Sequence, residues 1–492
     1  MDLNTSSEFS ISKAIGLIAG PLVFIFLLNT AAPDGLNLEA WKVIALATWM
    51  VAWWITEAMP LPVTALLPMI VLPMLGIFSQ EEASTPYASP IVFLFMGGFL
   101  IALAMEKQNL HSRIALNLIR VIGTNPNGII LGFMVATAFL SMWISNTATA
   151  VMMLPIAMSV VKLLSERIVE ENQIGVKNFS LVLLLSIAYA ANIGGTATII
   201  GTPPNVVMVG YLNQFYDYDL AFGKYLLVGI PAAVAMLAIT YLLLTKILYP
   251  NKIKGQKDTG ELVTSKLLAL GKISRAEWLV AIIFVLTASA WIFRSPINNM
   301  IGSNFLNDTL IAMAGGILMF IVPVNFKKGE FIMDWSATKE LPWGILLLFG
   351  GGLTLAKAME VTGIIQSVGE AVSGNSQWEL WLLLLVLTSI MLFMTELMSN
   401  VALCVIFLPV VLGIADGLNI PRLMLAIPVT LASSYAFMMP VSTPPNAIVY
   451  SSGFISMKQM VKAGFILNLI SIIILMILSQ TLIPWVYGEE GF

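Results

Sequence analysis

Long apolar runs follow one another along almost the whole chain, separated by short polar segments. A bilayer core about 30 Å thick is crossed by a helix of about 20 apolar residues. Runs of roughly this length or longer lie at 13–31, 41–57, 61–79, 89–106, 179–212, 224–249, 277–294, 307–324, 342–359, 421–450 and 461–486. They predict eleven membrane-spanning helices. Two further apolar pairs, at 127–163 and 378–416, fold about small polar turns and predict two re-entrant hairpins.

The two polar turns are Ser145-Asn146-Thr147 and Ser399-Asn400-Val401, which we call the first tip and the second tip. A shift of 254 residues (399 − 145) superimposes their Ser-Asn pairs. The same shift places Phe95 on Phe349, and the match continues through the proline that follows each tip. One register kept over so long a stretch predicts an internal duplication.

Composition supports a membrane protein and argues against an enzyme. The 492 residues are 58% hydrophobic and only 10% charged, with a mean hydropathy of +0.91, whereas about 25% of residues are charged in soluble proteins. One cysteine, Cys404, cannot form an intramolecular disulfide, and one histidine, His111, cannot build a histidine metal site. Glu57 and Glu396 lie in or beside apolar runs. An intramembrane carboxylate is a functional candidate, although Glu396 could instead brace its hairpin.

Basic residues indicate which helix ends are cytoplasmic. With the N-terminus inside, the basic residues left outside are five of the 24, namely Lys42, Lys224, Arg294, Lys357 and Arg422. We therefore expect a cell (plasma or inner) membrane protein with a cytoplasmic N-terminus and an extracytoplasmic C-terminus. The two copies then face opposite ways, as in the inverted repeats of many secondary transporters. The basic stretch 250–275 is predicted to connect the halves as a cytoplasmic surface helix.

Each tip has the chemistry of an anion site. The run from Gly128 to Ile144 is only about 25 Å long as a helix, which is marginal for a full crossing. The N-terminus of the outgoing helix presents free N–H groups and partial positive charge, and Ser, Asn and Thr can cap it and bind an anion. Alternatively, the hairpin crosses fully and its hydroxyls only cap a helix. No Arg or Lys adjoins either tip, so binding would depend on neutral donors.

Two proline-containing segments interrupt later apolar runs. They are Gly201-Thr202-Pro203-Pro204-Asn205 and Ser442-Thr443-Pro444-Pro445-Asn446. Pro-Pro breaks a helix, and the freed backbone groups occur at membrane depth where they line a cavity or are buried in protein. Matched breaks in both halves predict a shared site. The pair Gly194 and Gly195 either exposes carbonyl oxygens for Na⁺ or allows close helix packing.

These motifs closely resemble the divalent anion/Na⁺ symporter family, the INDY-type carboxylate transporters. The matching segments are WWITEAMPLPVTALLP (53–68), FMGGF, SMWISNTATAVMMLP, SIAYAANIGGTATIIGTPPN (186–205), LPWGILLLFGGG (341–352) and MMPVSTPPNA. The resemblance implies an all-α fold with eleven transmembrane helices and two re-entrant hairpins in an inverted-topology repeat, and a homodimer in membrane lipid. It also implies an elevator mechanism, in which a transport domain carries the site past a scaffold.

The resemblance assigns roles to residues of this sequence. Substrate contacts are implied for Ser145, Asn146, Thr147, Ser399, Asn400, Val401, Thr443 and Pro444. Na⁺ sites, if transport is coupled to Na⁺, map onto Ser141, Ser145, Asn146, Gly194 and Gly195 in the first half and onto Thr395, Met398, Asn400 and Ser442 in the second. We expect no other cofactor and no nucleic-acid partner.

The same resemblance divides the chain into two kinds of domain. The scaffold comprises 1–105 and 223–360, the latter with the connector 250–275. The transport domain comprises 106–222, with hairpin 127–163 and broken helix 179–212, and 361–492, with hairpin 378–416, broken helix 421–450 and last helix 461–486.

The predicted function is secondary transport of C4–C5 dicarboxylates such as succinate, malate, fumarate or 2-oxoglutarate. Val401 stands where the family motif has a threonine, and a neutral hydrogen bond contributes about 1 kcal/mol. We expect the missing threonine hydroxyl to disfavour the binding of tricarboxylates. Na⁺ symport and dicarboxylate exchange both remain open. A carrier of sulfate or another inorganic divalent anion is the alternative within transport, and a channel is the alternative outside it.

Overall fold

The computed structural model describes residues 11–123, 125–167, 173–251, 253, 258–373 and 379–488. These residues are almost entirely helical, apart from the short antiparallel pair of strands Pro323–Asn325 and Glu330–Phe331. Ten helical segments in this part of the chain are long and apolar enough to cross a bilayer, and five shorter apolar segments accompany them. The predicted all-α polytopic fold is confirmed, while the count of eleven crossings stays a prediction.

Two helical hairpins carry the tips. The first hairpin consists of Pro126–Ser141 and Asn146–Arg167, and the second of Leu380–Met394 and Asn400–Gly417. The first begins where the Asn125 side chain accepts a hydrogen bond from a backbone N–H, with proline at the first helical position. The predicted pairs 127–163 and 378–416 are therefore found to within a few residues, except that residue 378 lies outside the described residues.

Each hairpin is followed by a helix in two parts. The first broken helix consists of Gln173–Gly195 and Pro203–Tyr216, and the second of Arg422–Ser434 and Pro444–Tyr450. In both, the second part begins at the first proline of the Pro-Pro pair, a position where proline's missing N–H costs nothing. We call residues 196–202 the first break and residues 435–443 the second break. The sequence places both breaks correctly.

The predicted span at 61–79 is not a continuous helix. The run 61–79 forms two short helices, Leu61–Thr64 and Leu67–Met74, which together are too short to cross a bilayer. Pro62, Pro68 and Pro73 lie within this run, and proline lacks the N–H that a helix interior requires. The apolar composition therefore predicted more helix than forms.

The remaining long helices agree with the predicted runs. They are Ile11–Leu28, Leu38–Thr56, Pro90–Lys107, Phe222–Leu242, Arg275–Ile292, Trp343–Val361 and Met457–Gln480. The predicted run 307–324 contains a shorter helix, Asp308–Ile321, of 14 residues. Shorter elements join them: Gln80–Ser84, Thr85–Ala88, Leu243–Leu248, Arg294–Ile301, Phe326–Lys328, Trp335–Glu340 and Leu482–Tyr487.

Three short helices lie outside the predicted spans. Leu110–Ile122 and Ile364–Ser373 are amphipathic and pack against the first and second hairpin respectively. They begin at positions related by the same 254-residue shift. The third, Asp258–Ala269, is a helix of the basic connector. Residues 252 and 254–257 of that connector lie outside the described residues.

The two halves meet in the core. The rings of Phe95 and Phe349, which the duplication makes equivalent, pack edge to face with centroids 5.0 Å apart. Helix Phe222–Leu242 packs against Gln173–Gly195 and Met457–Gln480. This helix was predicted to belong to the scaffold. It packs against these two helices predicted for the transport domain and also against the predicted scaffold helix Arg275–Ile292.

Candidate functional site

One cavity of about 660 Å³ receives residues from both tips and both breaks. It is lined by all eight residues predicted to contact substrate: Ser145, Asn146, Thr147, Ser399, Asn400, Val401, Thr443 and Pro444. Met398 and Ser442 from the predicted Na⁺ sites line it as well, whereas Ser141, Gly194, Gly195 and Thr395 do not. The cavity therefore joins the two halves at the positions that the sequence singled out.

Charged groups are sparse around this cavity. Of the described residues, its lining includes two that are ionised at neutral pH, Lys13 and Glu57. These two side chains lie 3.8 Å apart, with Lys13 partly and Glu57 largely exposed. At the tips, hydrogen bonding must therefore come from hydroxyls, amides and helix N-termini. Such neutral groups can hold an anion and still release it.

The first tip is closed by its own polar side chains. Ser145 caps the outgoing helix, because its Oγ accepts a hydrogen bond from the N–H of Ala148 at 3.2 Å. Ser141 Oγ, at the end of the incoming helix, is 2.6 Å from Asn146 Oδ1 and 2.8 Å from the carbonyl oxygen of Ala191 on the first broken helix. These three oxygens, which we call the first cluster, connect the hairpin to the broken helix.

The second tip repeats this arrangement. Ser399 Oγ accepts from the N–H of Ala402 at 3.5 Å. Thr395 Oγ1 is 2.7 Å from Asn400 Oδ1 and 2.5 Å from the carbonyl oxygen of Ser433. Thr395 replaces the serine of the first copy, and the hydroxyl takes the same position in the cluster.

Each cluster has more oxygen atoms than hydrogens to share. A hydroxyl has a single hydrogen, so Ser141 can donate to only one of the two oxygens beside it, and the same holds for Thr395. The neighbouring oxygen that receives no hydrogen then lies less than 3 Å from the hydroxyl oxygen with no hydrogen between them. A cation among the three oxygens would remove this repulsion. The Ala191 and Ser433 carbonyls lie near the C-terminal ends of their helices, and such helix ends coordinate Na⁺ in transporters. Both clusters therefore fit a cation.

The two glycines pack closely against the first hairpin. A Cβ on Gly194 would lie 2.4 Å from the backbone of Ala138, and one on Gly195 would lie 2.5 Å from Asn146 Oδ1. The carbonyl oxygen of Gly194 already accepts the N–H of Ala197 at 3.0 Å. Of the two readings of this pair, close packing is realised. A role for either carbonyl as a Na⁺ ligand stays a prediction.

Both breaks are held by the asparagine that follows Pro-Pro. Asn205 Nδ2 donates to the carbonyls of Thr196 and Thr198 at 3.2 and 2.8 Å. Asn446 Nδ2 donates to the carbonyls of Ala436 and Met439 at 3.0 and 3.1 Å. The asparagine of each T-P-P-N motif thus supplies donors to backbone carbonyls that the breaks free from helical hydrogen bonding. The sequence contained this signal, since both asparagines close the repeated motif.

Glu396 braces the second break rather than the cavity. Its carboxylate is 3% exposed and accepts hydrogen bonds from the N–H groups of Phe437, Met438 and Met439 at 2.7, 2.9 and 3.1 Å. Asn468 Nδ2 adds a fourth at 2.9 Å. Of the two roles considered for Glu396, the bracing one is realised, although it acts on the break and not on its own hairpin.

Comparison with known proteins identifies the family. A family model described as the sodium:sulfate symporter transmembrane region matches residues 11–487. The chain belongs to the sodium:sulfate symporter family. This is the family that the motifs around the tips and breaks indicated.

Two curated relatives of this symporter-family chain carry the name sodium-dependent dicarboxylate transporter SdcS. The protein of Staphylococcus aureus strain USA300 is 41% identical over 485 residues, which are 98% of this chain and 93% of the relative. That of Staphylococcus saprophyticus is 37% identical over 488 residues, 99% of this chain and 94% of the relative. The family and these relatives are transporters and not enzymes.

Among solved structures, the YdaH transporter of Alcanivorax borkumensis superposes with a TM-score of 0.57. The superposition covers 88% of this symporter-family chain and 97% of that chain, at 14% identity. It shows a shared fold. The family match and the ten apolar segments of the described residues make this chain an integral, multi-pass membrane protein.

Proposed function

We propose that this protein is a Na⁺-coupled secondary transporter of C4–C5 dicarboxylates such as succinate, malate, fumarate and 2-oxoglutarate. The observation that carries the proposal is the meeting of both tips in one cavity, with an oxygen cluster behind each tip. Each helix N-terminus offers N–H groups to one carboxylate, and each cluster offers oxygens to one Na⁺. The names of the relatives, which specify Na⁺ and dicarboxylate, support this assignment.

We propose that the two sites are coupled through the tip asparagines. Asn146 and Asn400 each place their Oδ1 in a cation cluster while lining the cavity. A Na⁺ bound to the amide oxygen fixes the orientation of the side chain. The NH₂ group of the same amide is then held in one direction at the cavity wall. Anion binding and ion binding thereby become mutually dependent, as linkage requires.

The cavity contacts Lys13 and Glu57, which the distribution of basic residues assigns to the cytoplasmic side. We therefore propose that this conformation is open to the cytoplasm, in the cell membrane. An elevator movement of the hairpins and broken helices would carry the site outward, in a homodimer. Because Phe222–Leu242 packs against Gln173–Gly195 and Met457–Gln480 of this group, we propose to include it in the moving domain, with its contact to Arg275–Ile292 at the boundary to the scaffold.

Counterflow in proteoliposomes tests the function and its coupling. We expect labelled succinate to accumulate only when external Na⁺ is present, and counterflow against internal succinate to disappear in Na⁺-free choline buffer. Unlabelled malate and fumarate should compete, whereas citrate should compete weakly, since Val401 offers no hydroxyl to a third carboxylate. Robust counterflow without Na⁺ would show an exchanger, and competition by sulfate alone would show an inorganic-anion carrier.

A further inference from the structure

A buried amide of the first half reaches across to a cavity hydroxyl of the second half. Asn192 lies on the first broken helix and is 1% exposed. Its Nδ2 donates to Thr443 Oγ1 at 3.1 Å and to the carbonyl of Ala436 at 3.1 Å. Asn192 and Thr443 both line the cavity. The segment 186–205 contains Asn192, but the sequence predicted no role for it.

The orientation of this amide is determined by its neighbours. The Ala436 carbonyl can only accept hydrogen bonds, so the NH₂ group of Asn192 must face it. A flipped amide would set its own oxygen against that carbonyl and against Asn446 Oδ1, which lies 3.4 Å from Asn192 Nδ2. Asn192 is therefore a donor toward Thr443 and cannot serve as an acceptor.

The consequence concerns the direction in which Thr443 donates. Its oxygen accepts from Asn192 Nδ2 and, as the cap of helix Pro444–Tyr450, from the N–H of Asn446 at 3.4 Å. A hydroxyl oxygen has two lone pairs and one hydrogen, so both lone pairs are used. Among the described residues no acceptor takes the remaining hydrogen, and the side chain borders the cavity. Thr443 is thus left with one function, that of a donor.

We propose that Asn192 is a positioning residue that makes the Thr443 hydroxyl an obligate hydrogen-bond donor to a carboxylate of the transported anion. This inference rests on the proposed function. The equivalent threonine of the first half, Thr202, has a weaker brace, because its Oγ1 lies 3.5 Å from Ser434 Oγ and either hydroxyl can donate. The two ends of the cavity therefore differ, and the Thr443 end binds its carboxylate more tightly.

A double-mutant cycle on succinate KM, at saturating Na⁺, tests the inference. A hydrogen bond to a charged group is worth about tenfold in affinity, so Thr443→Val is expected to raise KM about tenfold while Thr443→Ser leaves it nearly unchanged. Asn192→Ala should also raise KM about tenfold. The double variant should resemble Thr443→Val alone, about tenfold and not about a hundredfold, because Asn192 acts through that hydroxyl.

The control variant for the Asn192 substitution removes a different hydrogen bond to the second break. Tyr189 Oη donates to the carbonyl of Phe437 at 2.9 Å and does not contact Thr443. Tyr189→Phe should therefore leave KM within about twofold of wild type. If Asn192→Ala does not fold, Asn192→Ser takes its place in the cycle. Additive effects, or a Tyr189→Phe variant that reproduces the rise in KM, would overturn the inference. Wild-type protein without dicarboxylate transport would overturn the proposed function and this inference together.

Discussion

Succinate uptake is expected to fall at least a hundredfold when Asn146 or Asn400 is replaced by alanine, while each variant still folds. Each amide contributes an oxygen to a cation cluster at 2.6 or 2.7 Å and borders the cavity. A hydrogen bond to a charged group contributes about 1.5–3 kcal/mol, and about 1.4 kcal/mol is a factor of ten in affinity. Loss of the substrate contact and of the ion ligand together therefore exceeds a hundredfold.

Asn117→Ala is the matched control for these two variants. The partly buried Asn117 amide bonds only within its own helix, donating to the Arg113 carbonyl at 2.8 Å and accepting from Arg120 at 3.3 Å in the described residues. It does not line the cavity, so uptake should stay within about twofold of wild type. Uptake is measured in proteoliposomes and folding by the elution profile of each purified variant. Near-normal uptake by both tip variants would remove the assigned site.

Glu396→Gln is expected to have the second large effect, on stability and affinity together. The carboxylate accepts hydrogen bonds from three N–H groups of the second break and from Asn468. A glutamine of the same shape replaces one oxygen by an NH₂ group, which then faces donors instead of accepting from them. Leaving buried donors unpaired beside a formerly charged acceptor costs about 3 kcal/mol.

The change should appear as a lower melting temperature in detergent and a higher succinate KM. Asp334→Asn is a suitable control, because that carboxylate is exposed and pairs with Lys107 at the surface, where ion pairs contribute little. A Glu396→Gln variant with wild-type melting temperature and KM would show that the second break does not depend on this carboxylate.

Local chemistry explains why the site was predictable from sequence. The tips and the breaks have short sequence motifs that combine asparagine and hydroxyl residues, with proline in the breaks. Each motif occurs once in each half of the chain. The partners of Glu396 were not predictable in this way, since three of them lie 41–43 residues and Asn468 lies 72 residues further along the chain. The bond between Asn192 and Thr443 joins residues 251 positions apart, so it depends entirely on how the halves pack.

The errors in the fold also have physical causes. The run 61–79 was predicted as a span from its apolar composition, although its prolines prevent a continuous helix. Helices Leu110–Ile122 and Ile364–Ser373 were missed because a search for long apolar runs passes over short amphipathic segments. Their apolar residues recur with helical spacing, a signal that a search for periodicity would have found.

Protection of single cysteines by substrate tests the central claim, that both tips hold one anion in one cavity. In a Cys404→Ala background, Thr147→Cys and Val401→Cys each place one thiol in the cavity lining, and Ser303→Cys places a control thiol at the exposed surface. Maleimide labelling is followed with and without Na⁺ and succinate. We predict that Na⁺ with succinate slows labelling at both tips and leaves the control unchanged. Protection at one tip alone, or at neither, would contradict the account.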